Sequence, residues 1–203
     1  MYPEFSVPGV PQSRIWELFN ASTFEYYCNK VETILSGVCP FCVIDPIVNR
    51  VLFENDSWRG WVNKMAPRSG QEYQLIVPSK RHFERAGEQT PKEVADFYQV
   101  LQWAEANFSG DGVWVARSGN PRRNAKSVSH YHNNFHCPNG VDRVEVTIAK
   151  SEEDLLKKVV ILELWERMRV AQEEGNPNPI TVLDVVERAL VEGRITPSST
   201  RVR

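Results

Sequence analysis

The chain has 203 residues, with 24 Lys and Arg against 26 Asp and Glu and a net charge of −2. So balanced a charge excludes the basic footprint of a dedicated nucleic-acid binder, and a hydrophobic fraction of 41% excludes disorder throughout. No apolar run approaches the roughly 20 residues that span a bilayer, and MYPEFSVPGVPQSR lacks the basic start and apolar block of a signal peptide, so a cytoplasmic protein is expected. In that reducing compartment the four cysteines, Cys28, Cys39, Cys42 and Cys137, point to metal or redox chemistry rather than disulfides.

In chain order, Pro3, Pro8 and Pro11 make the first residues an irregular arm. From Ser13 to about Leu35 apolar residues recur at helical spacing, which predicts one or two helices stopped by Gly37. After CPFC, the segment VNRVLFEND reads as a strand ending in an Asn-Asp turn. SWRGWVNKM resumes in extended form, as in a hairpin. Pro67 to Gly70 read as a loop, and EYQLIVPS as a short strand stopped by Pro78. The next helix carries its own punctuation: Thr90 as cap, Pro91 at the first position and Glu93 completing a capping box. Val94, Phe97, Leu101 and Ala104 are its expected apolar stripe. GVWVAR is a strand, GNPRRNAKS a cationic loop, VSHYHNNFH extended, and DRVEVTIAK alternates as a closing strand. A long helix then opens at Ser151 and runs to Gly175, followed by an NPNP linker and a second helix, ITVLDVVERALVEG. The order of elements predicts an α+β fold with an antiparallel sheet. It divides into an N-terminal arm and helices (1–38), a central domain (39–150) and a C-terminal helical extension (151–203).

Two clusters carry chemistry. Cys39-Pro-Phe-Cys42 lets two sulfurs reach one ion across a tight turn, which suits zinc. The same spacing also serves a redox pair, but that reading wants a strand-to-helix junction and here strand-like sequence follows, so metal is favoured. A structural zinc needs four ligands, and Cys28, Cys137, His82 and His130 are the available partners. The second cluster is SVSHYHNNFHC. If the whole stretch is a strand, His130, His132, Asn134 and His136 line one face. Such a row can bind a metal or surround a phosphate, and a neutral imidazole attacks phosphorus well when its other nitrogen is held. A polar edge strand is the plainer alternative. The preceding loop adds Arg117, Arg122, Arg123 and Lys126, with Ser118, Asn120, Asn124 and Ser127, all suited to phosphate oxygens.

Together, over about residues 39–150, the pieces CPFC, IVPSKRH, TPKE, GVWVARSG and NAKSVSHYH resemble the histidine triad (HIT) superfamily in order and spacing. The resemblance implies a HIT-like sheet with packed helices and a nucleotide substrate. It implies attack on the α-phosphate by the middle histidine, here His132, through a nucleotidyl-histidine intermediate. Zinc-bearing members supply the metal ligands that match Cys39, Cys42, His82 and His130. Ser127 matches a phosphate contact, with Asn120, Asn124 and Lys126 beside it in the loop. The third position of the triad departs from the hydrolase pattern: it is Asn134, nearer the Gln of transferase members, with His136 two residues later. Either Asn134 takes the third role, or a bulge at Asn133-Asn134 swings His136 into it. Lys64 stands where many members have an acidic residue that meets the ribose. Hydrolysis is the expected reaction, nucleotidyl transfer its alternative, and a catalytically silent binding module the third reading. The apolar run Leu155, Leu156, Val159, Val160, Leu162, Leu164 and Trp165 is too broad for one buried side. It calls either for deep packing within the chain or for a homodimer interface.

Overall fold

A computed structural model describes residues 5–64, 70–108, 111–123 and 126–175. The elements are α1 (Ile15–Leu18), α2 (Phe24–Leu35), β1 (Phe53–Glu54), β2 (Arg59–Val62), β3 (Gln71–Pro78), α3 (Pro91–Asn107), β4 (Val113–Arg117), β5 (His132–Pro138) and α4 (Glu152–Glu173). The chain falls into two compact units. One is Gly37–Ala149; the other combines Met1–Ser36 with Lys150–Arg203. The N-terminal helices and the C-terminal helix, separate segments in the sequence, thus belong to one unit. Among the described residues no helix is long and apolar enough to cross a membrane. The second C-terminal helix expected at ITVLDVVERALVEG lies outside the described residues, as do Pro67 and Asn124.

In the unit formed by the two ends, Thr23 caps α2 by accepting from the Tyr26 N–H, and Gly37 follows its last turn at φ +70°. Ser151 and Asp154 form a capping box on α4. Phe5, Leu18, Phe19, Tyr27, Val31, Leu155, Val159 and Leu162 share one core, with Trp165 packed against it. The broad apolar face of α4 is therefore largely taken up within the chain. Buried Glu17 is neutralised by Lys30 at 3.5 Å and by Arg14 at 2.7 Å, as an enclosed carboxylate must be. The ammonium groups of Lys150 and Lys158 donate to the carbonyls of Phe19 and Ala21.

The central unit is a five-stranded, fully antiparallel sheet in the order β1-β2-β3-β5-β4. This is the α+β class expected. The β1–β2 hairpin closes on Asn55, whose side-chain oxygen accepts from the Ser57 and Trp58 N–H groups. Only Phe53 and Glu54 of VNRVLFEND are strand: Val48 and Asn49 bond back to Asp45 in a turn, and among the described residues Leu52 N to Gly60 O is the one bond that the stretch before Phe53 makes to β2. The expected closing strand does not form either. Residues 142–149 are without regular structure and mostly exposed. The alternating pattern of DRVEVTIAK permits a strand, but among the described residues no neighbour in the sheet supplies a ladder.

Helix α3 covers one face of the sheet. Its Thr90–Glu93 capping box is formed as expected. The stripe is rotated from expectation: Val94 is exposed, and Phe97, Val100, Trp103 and Ala104 face Trp58, Leu75, Val77 and Phe135. Trp58 fixes the hairpin to the helix by donating its indole N–H to the Glu93 carbonyl at 2.7 Å. Arg81 clamps the Glu93 carboxylate in a two-pronged pair at 2.8 and 2.9 Å.

Replacing Thr90 by Ala is expected to lower unfolding free energy by about 1 kcal/mol in denaturant titrations. The Arg81 pair, then the Thr90 bonds, hold the Glu93 carboxyl down to about 2 from its ordinary 4.5. Its contribution is present above about pH 4.5 and lost as pH falls toward 2. Glu93→Gln should therefore flatten the acid limb of a stability–pH profile, measured by thermal unfolding.

Candidate functional site

The turn Cys39–Cys42 is closed by two backbone bonds, from Cys42 N and Val43 N to the Cys39 carbonyl, both 3.0 Å. It presents two thiols to one point. His82 arrives there just beyond the end of β3, and His130 just before the start of β5. His130 does not share the strand face with His132, as the alternation of the sequence suggested. Its N–H bonds the Val128 carbonyl two residues back, and this tight turn re-aims the ring before the strand begins.

The four ligand atoms, two Sγ and two Nδ1, lie within 4.8 Å of one another. Cys39 Sγ is 3.4 Å and Cys42 Sγ 3.6 Å from His130 Nδ1; Cys42 Sγ is 3.4 Å and His130 Nδ1 3.2 Å from His82 Nδ1. Donors on a tetrahedral zinc, at about 2.3 Å for sulfur and 2.0–2.1 Å for nitrogen, stand about 3.3–3.8 Å apart. These four contacts, of the six edges of such a tetrahedron, are close to those lengths. The tautomer agrees. His130 Nε2 is 2.9 Å from the Ser79 carbonyl, which can only accept, so the proton is on Nε2 and Nδ1 offers a lone pair to the centre. Burial first holds His130 neutral, down to about 4. Burial, then the charge of Cys39, pushes the Cys42 thiol up to about 11 without a cation; a bound cation reverses that cost. The donor set fits zinc. Cys28 and Cys137 are not in this cluster; Cys137 is buried in the core under α3.

His132 heads β5, opposite Pro78 of β3 and Arg117 of β4. Its Nδ1 is 2.9 Å from the His130 carbonyl, so Nδ1 carries the proton. Nε2 has no hydrogen bond among the described residues, and its lone pair is available. Burial pushes the imidazolium form down to about 3, and the charges of Lys126 and Arg117 act in the same direction. Lys126, in the loop, is itself buried; Arg117 donates to the Thr147 carbonyl at 3.0 Å.

The ladders on both sides of β5 run without a break from His132 to His136. There is no bulge at Asn133-Asn134; the irregularity on this sheet lies between Gln71 and Tyr73. Asn134 therefore follows His132 on the same face, while His136, four residues on, is about 13 Å along the strand. His136 lies opposite Gln74 and Val113. Ser127 is half-buried and precedes the turn. Asn120 is exposed, and its side-chain oxygen is engaged by the Arg122 N–H. The exposed Lys64 donates to the Ile47 carbonyl. Sequence reasoning assigned no role to Ser79 or Phe41. Ser79 sits inside IVPSKRH, but a hydroxyl after proline carries no signal of its own. The Phe41 ring stands edge-on to His132 at 5.0 Å.

No family model matches the chain, and no curated protein matches it. Among solved structures, a zinc-bound histidine triad family protein from Mycobacterium smegmatis is similar at 20% identity and a TM-score of 0.40, covering 63% of this chain and 97% of that one. A HIT family member from Bacillus subtilis is similar at 19% identity and a TM-score of 0.38, over 62% and 94%. A diadenosine triphosphate hydrolase from Plasmodium falciparum is similar at 13% identity and a TM-score of 0.34, over 61% and 79%.

Elemental analysis is expected to find about one zinc per chain. Cys42→Ser or His82→Ala should lower that content severalfold, and chelation should lower the thermal midpoint of the wild type.

Proposed function

We propose that the protein is a zinc-containing nucleotide hydrolase of the histidine triad type. It would cleave a nucleoside 5′-phosphate derivative, of dinucleoside polyphosphate or phosphoramidate kind, at the α-phosphate. The observation that carries this reading is the state of His132: neutral, its Nδ1–H tied to the His130 carbonyl, its Nε2 lone pair unengaged. That is the form of an imidazole nucleophile.

In this reading the Nε2 lone pair bonds to the α-phosphorus, and the bond from phosphorus to the leaving oxygen or nitrogen breaks with its electron pair. The leaving group departs as an anion or takes up a proton from water. Water then attacks the phosphorus, loses a proton, and the Nε2–P bond breaks to restore neutral His132. Lys126 and Ser127 would meet phosphate oxygens, with Asn120 and Asn124 of the same loop as further candidates for that role. Asn134 would donate an amide N–H to the phosphoryl group. An amide orients but cannot shuttle a proton, so leaving groups that depart without protonation, such as phosphate or a nucleoside polyphosphate, would be favoured over amines. Zinc, held by Cys39, Cys42, His82 and His130, would be structural and fix the two segments that flank the nucleophile. β2, through the buried Trp61 on the His132 side of the sheet, would border the base.

Two observations favour other readings. Asn134 in place of a proton-transferring histidine suits nucleotidyl transfer to a phosphate or sugar-phosphate acceptor. The near-complete burial of His132 and Asn134 suits a catalytically silent nucleotide-binding module. His132→Gly should abolish turnover of dinucleoside polyphosphates while circular dichroism and zinc content stay unchanged. Label from an α-phosphate-labelled nucleotide should be trapped on wild-type His132 in acid-labile form. Faster release of that label by phosphate acceptors than by water would establish transfer. Nucleotide binding without label or turnover would establish the silent module.

A further inference from the structure

Phe41 lies between the two cysteines of the metal cluster, in a turn whose backbone is closed on the Cys39 carbonyl. Its ring meets three others at steep angles: His132 at 5.0 Å and 74°, His130 at 5.7 Å and 84°, and Trp61 at 5.7 Å and 69°. Trp61 is buried on β2 and gives Phe41 a fixed contact on the sheet. The imidazole of His132, by contrast, has one hydrogen bond among the described residues, from Nδ1. One bond at one corner fixes the tautomer; the tilt of the buried ring about the N–H···O line is set by what packs against it.

We infer that Phe41 is a positioning residue: the cysteine turn, closed by the four-ligand cluster, holds the Phe41 ring against the His132 imidazole and fixes the direction of its Nε2 lone pair. The inference rests on the reading of His132 as the nucleophile. Aromatic rings at 4.5–7 Å prefer edge-to-face contact, so the contact has a preferred angle and not only a preferred distance. A shapeless apolar side chain of similar volume would fill the space without setting that angle. The metal cluster would thus act on the nucleophile through two routes, the His130 carbonyl and the Phe41 ring, without touching the substrate.

The test compares Phe41→Leu, Phe41→Ala and Phe41→Tyr. It reads zinc per chain, the nitrogen–proton correlations of the His132 imidazole by NMR, and kcat and KM on a dinucleoside polyphosphate. Phe41→Leu and Phe41→Ala should keep their zinc, shift or broaden the His132 correlations, and lower kcat by about ten- to a hundredfold with KM changed by less than about threefold. Phe41→Tyr, which keeps the ring, should restore both signals and rate. Chelating the metal from the wild type should disturb the same correlations. Phe41→Leu with wild-type correlations and wild-type kcat would overturn the inference. So would a loss of zinc equal to the loss of kcat in all three variants, which would mark Phe41 as merely structural. Absence of turnover in the wild type would instead overturn the proposed function, and the His132 correlations would still decide the role of Phe41.

Discussion

One residue, His130, is bound from three sides, and the chemistry of the unit depends on it. Its Nε2–H is given to Ser79, its Nδ1 faces two thiols and a second histidine, and its carbonyl accepts the Nδ1–H of His132. Each bond removes a freedom that the next requires. Without Ser79 the ring could present the wrong nitrogen to the cluster. Without the cluster, the turn at Val128–His130 would lose its tether to the cysteine loop. Without that turn the carbonyl would not lie over the imidazole of His132. The four-residue cluster and the imidazole of His132 are therefore held by one residue, the side chain of His130 on one side and its backbone on the other.

The scaffold explains why this arrangement is held tightly. β5 is the second strand from the edge and is paired on both sides, so its backbone is committed to two ladders. One face carries Phe135 and Cys137 into the aromatic core under α3. That face anchors the strand by apolar burial, while the opposite face can carry His132, Asn134 and His136. Trp58, in the β1–β2 turn, and Arg81, next to His82, both bind Glu93 and so join α3 to the sheet. Stability and site geometry thus draw on the same contacts.

Much of this was legible in the sequence, and the exceptions share a cause. Thr90, Pro91 and Glu93 specify their helix locally, and Asn55 specifies its turn, so both form where expected. The four residues that resembled a zinc ligand set do come together, because CPFC, the end of an apolar strand and the start of another are all strongly marked. His130 was misplaced on the strand face because a two-residue backbone turn leaves no compositional trace. DRVEVTIAK has the pattern of a strand, but a ladder needs a neighbour, and availability of a neighbour is a property of the whole sheet. The stripe of α3 slipped by one position because Val94 is apolar yet faces away from the core. Where local chemistry decides, one sequence suffices; where a partner decides, it does not.

The burial of β5 on both faces has a further consequence, for how the chain finds its register. From His132 to Cys137 every residue is nearly inaccessible, with His132, Asn134 and His136 alternating with Asn133, Phe135 and Cys137. A slip of one residue would exchange the faces. It would drive two imidazoles and an amide into the aromatic core and turn Phe135 out to the polar side. Burying polar groups without partners costs several kcal/mol in sum. A misaligned strand would thus be disfavoured by the same polar residues that line the candidate site. The histidine row acts as a proofreading device for the sheet, whether or not a substrate ever reaches it.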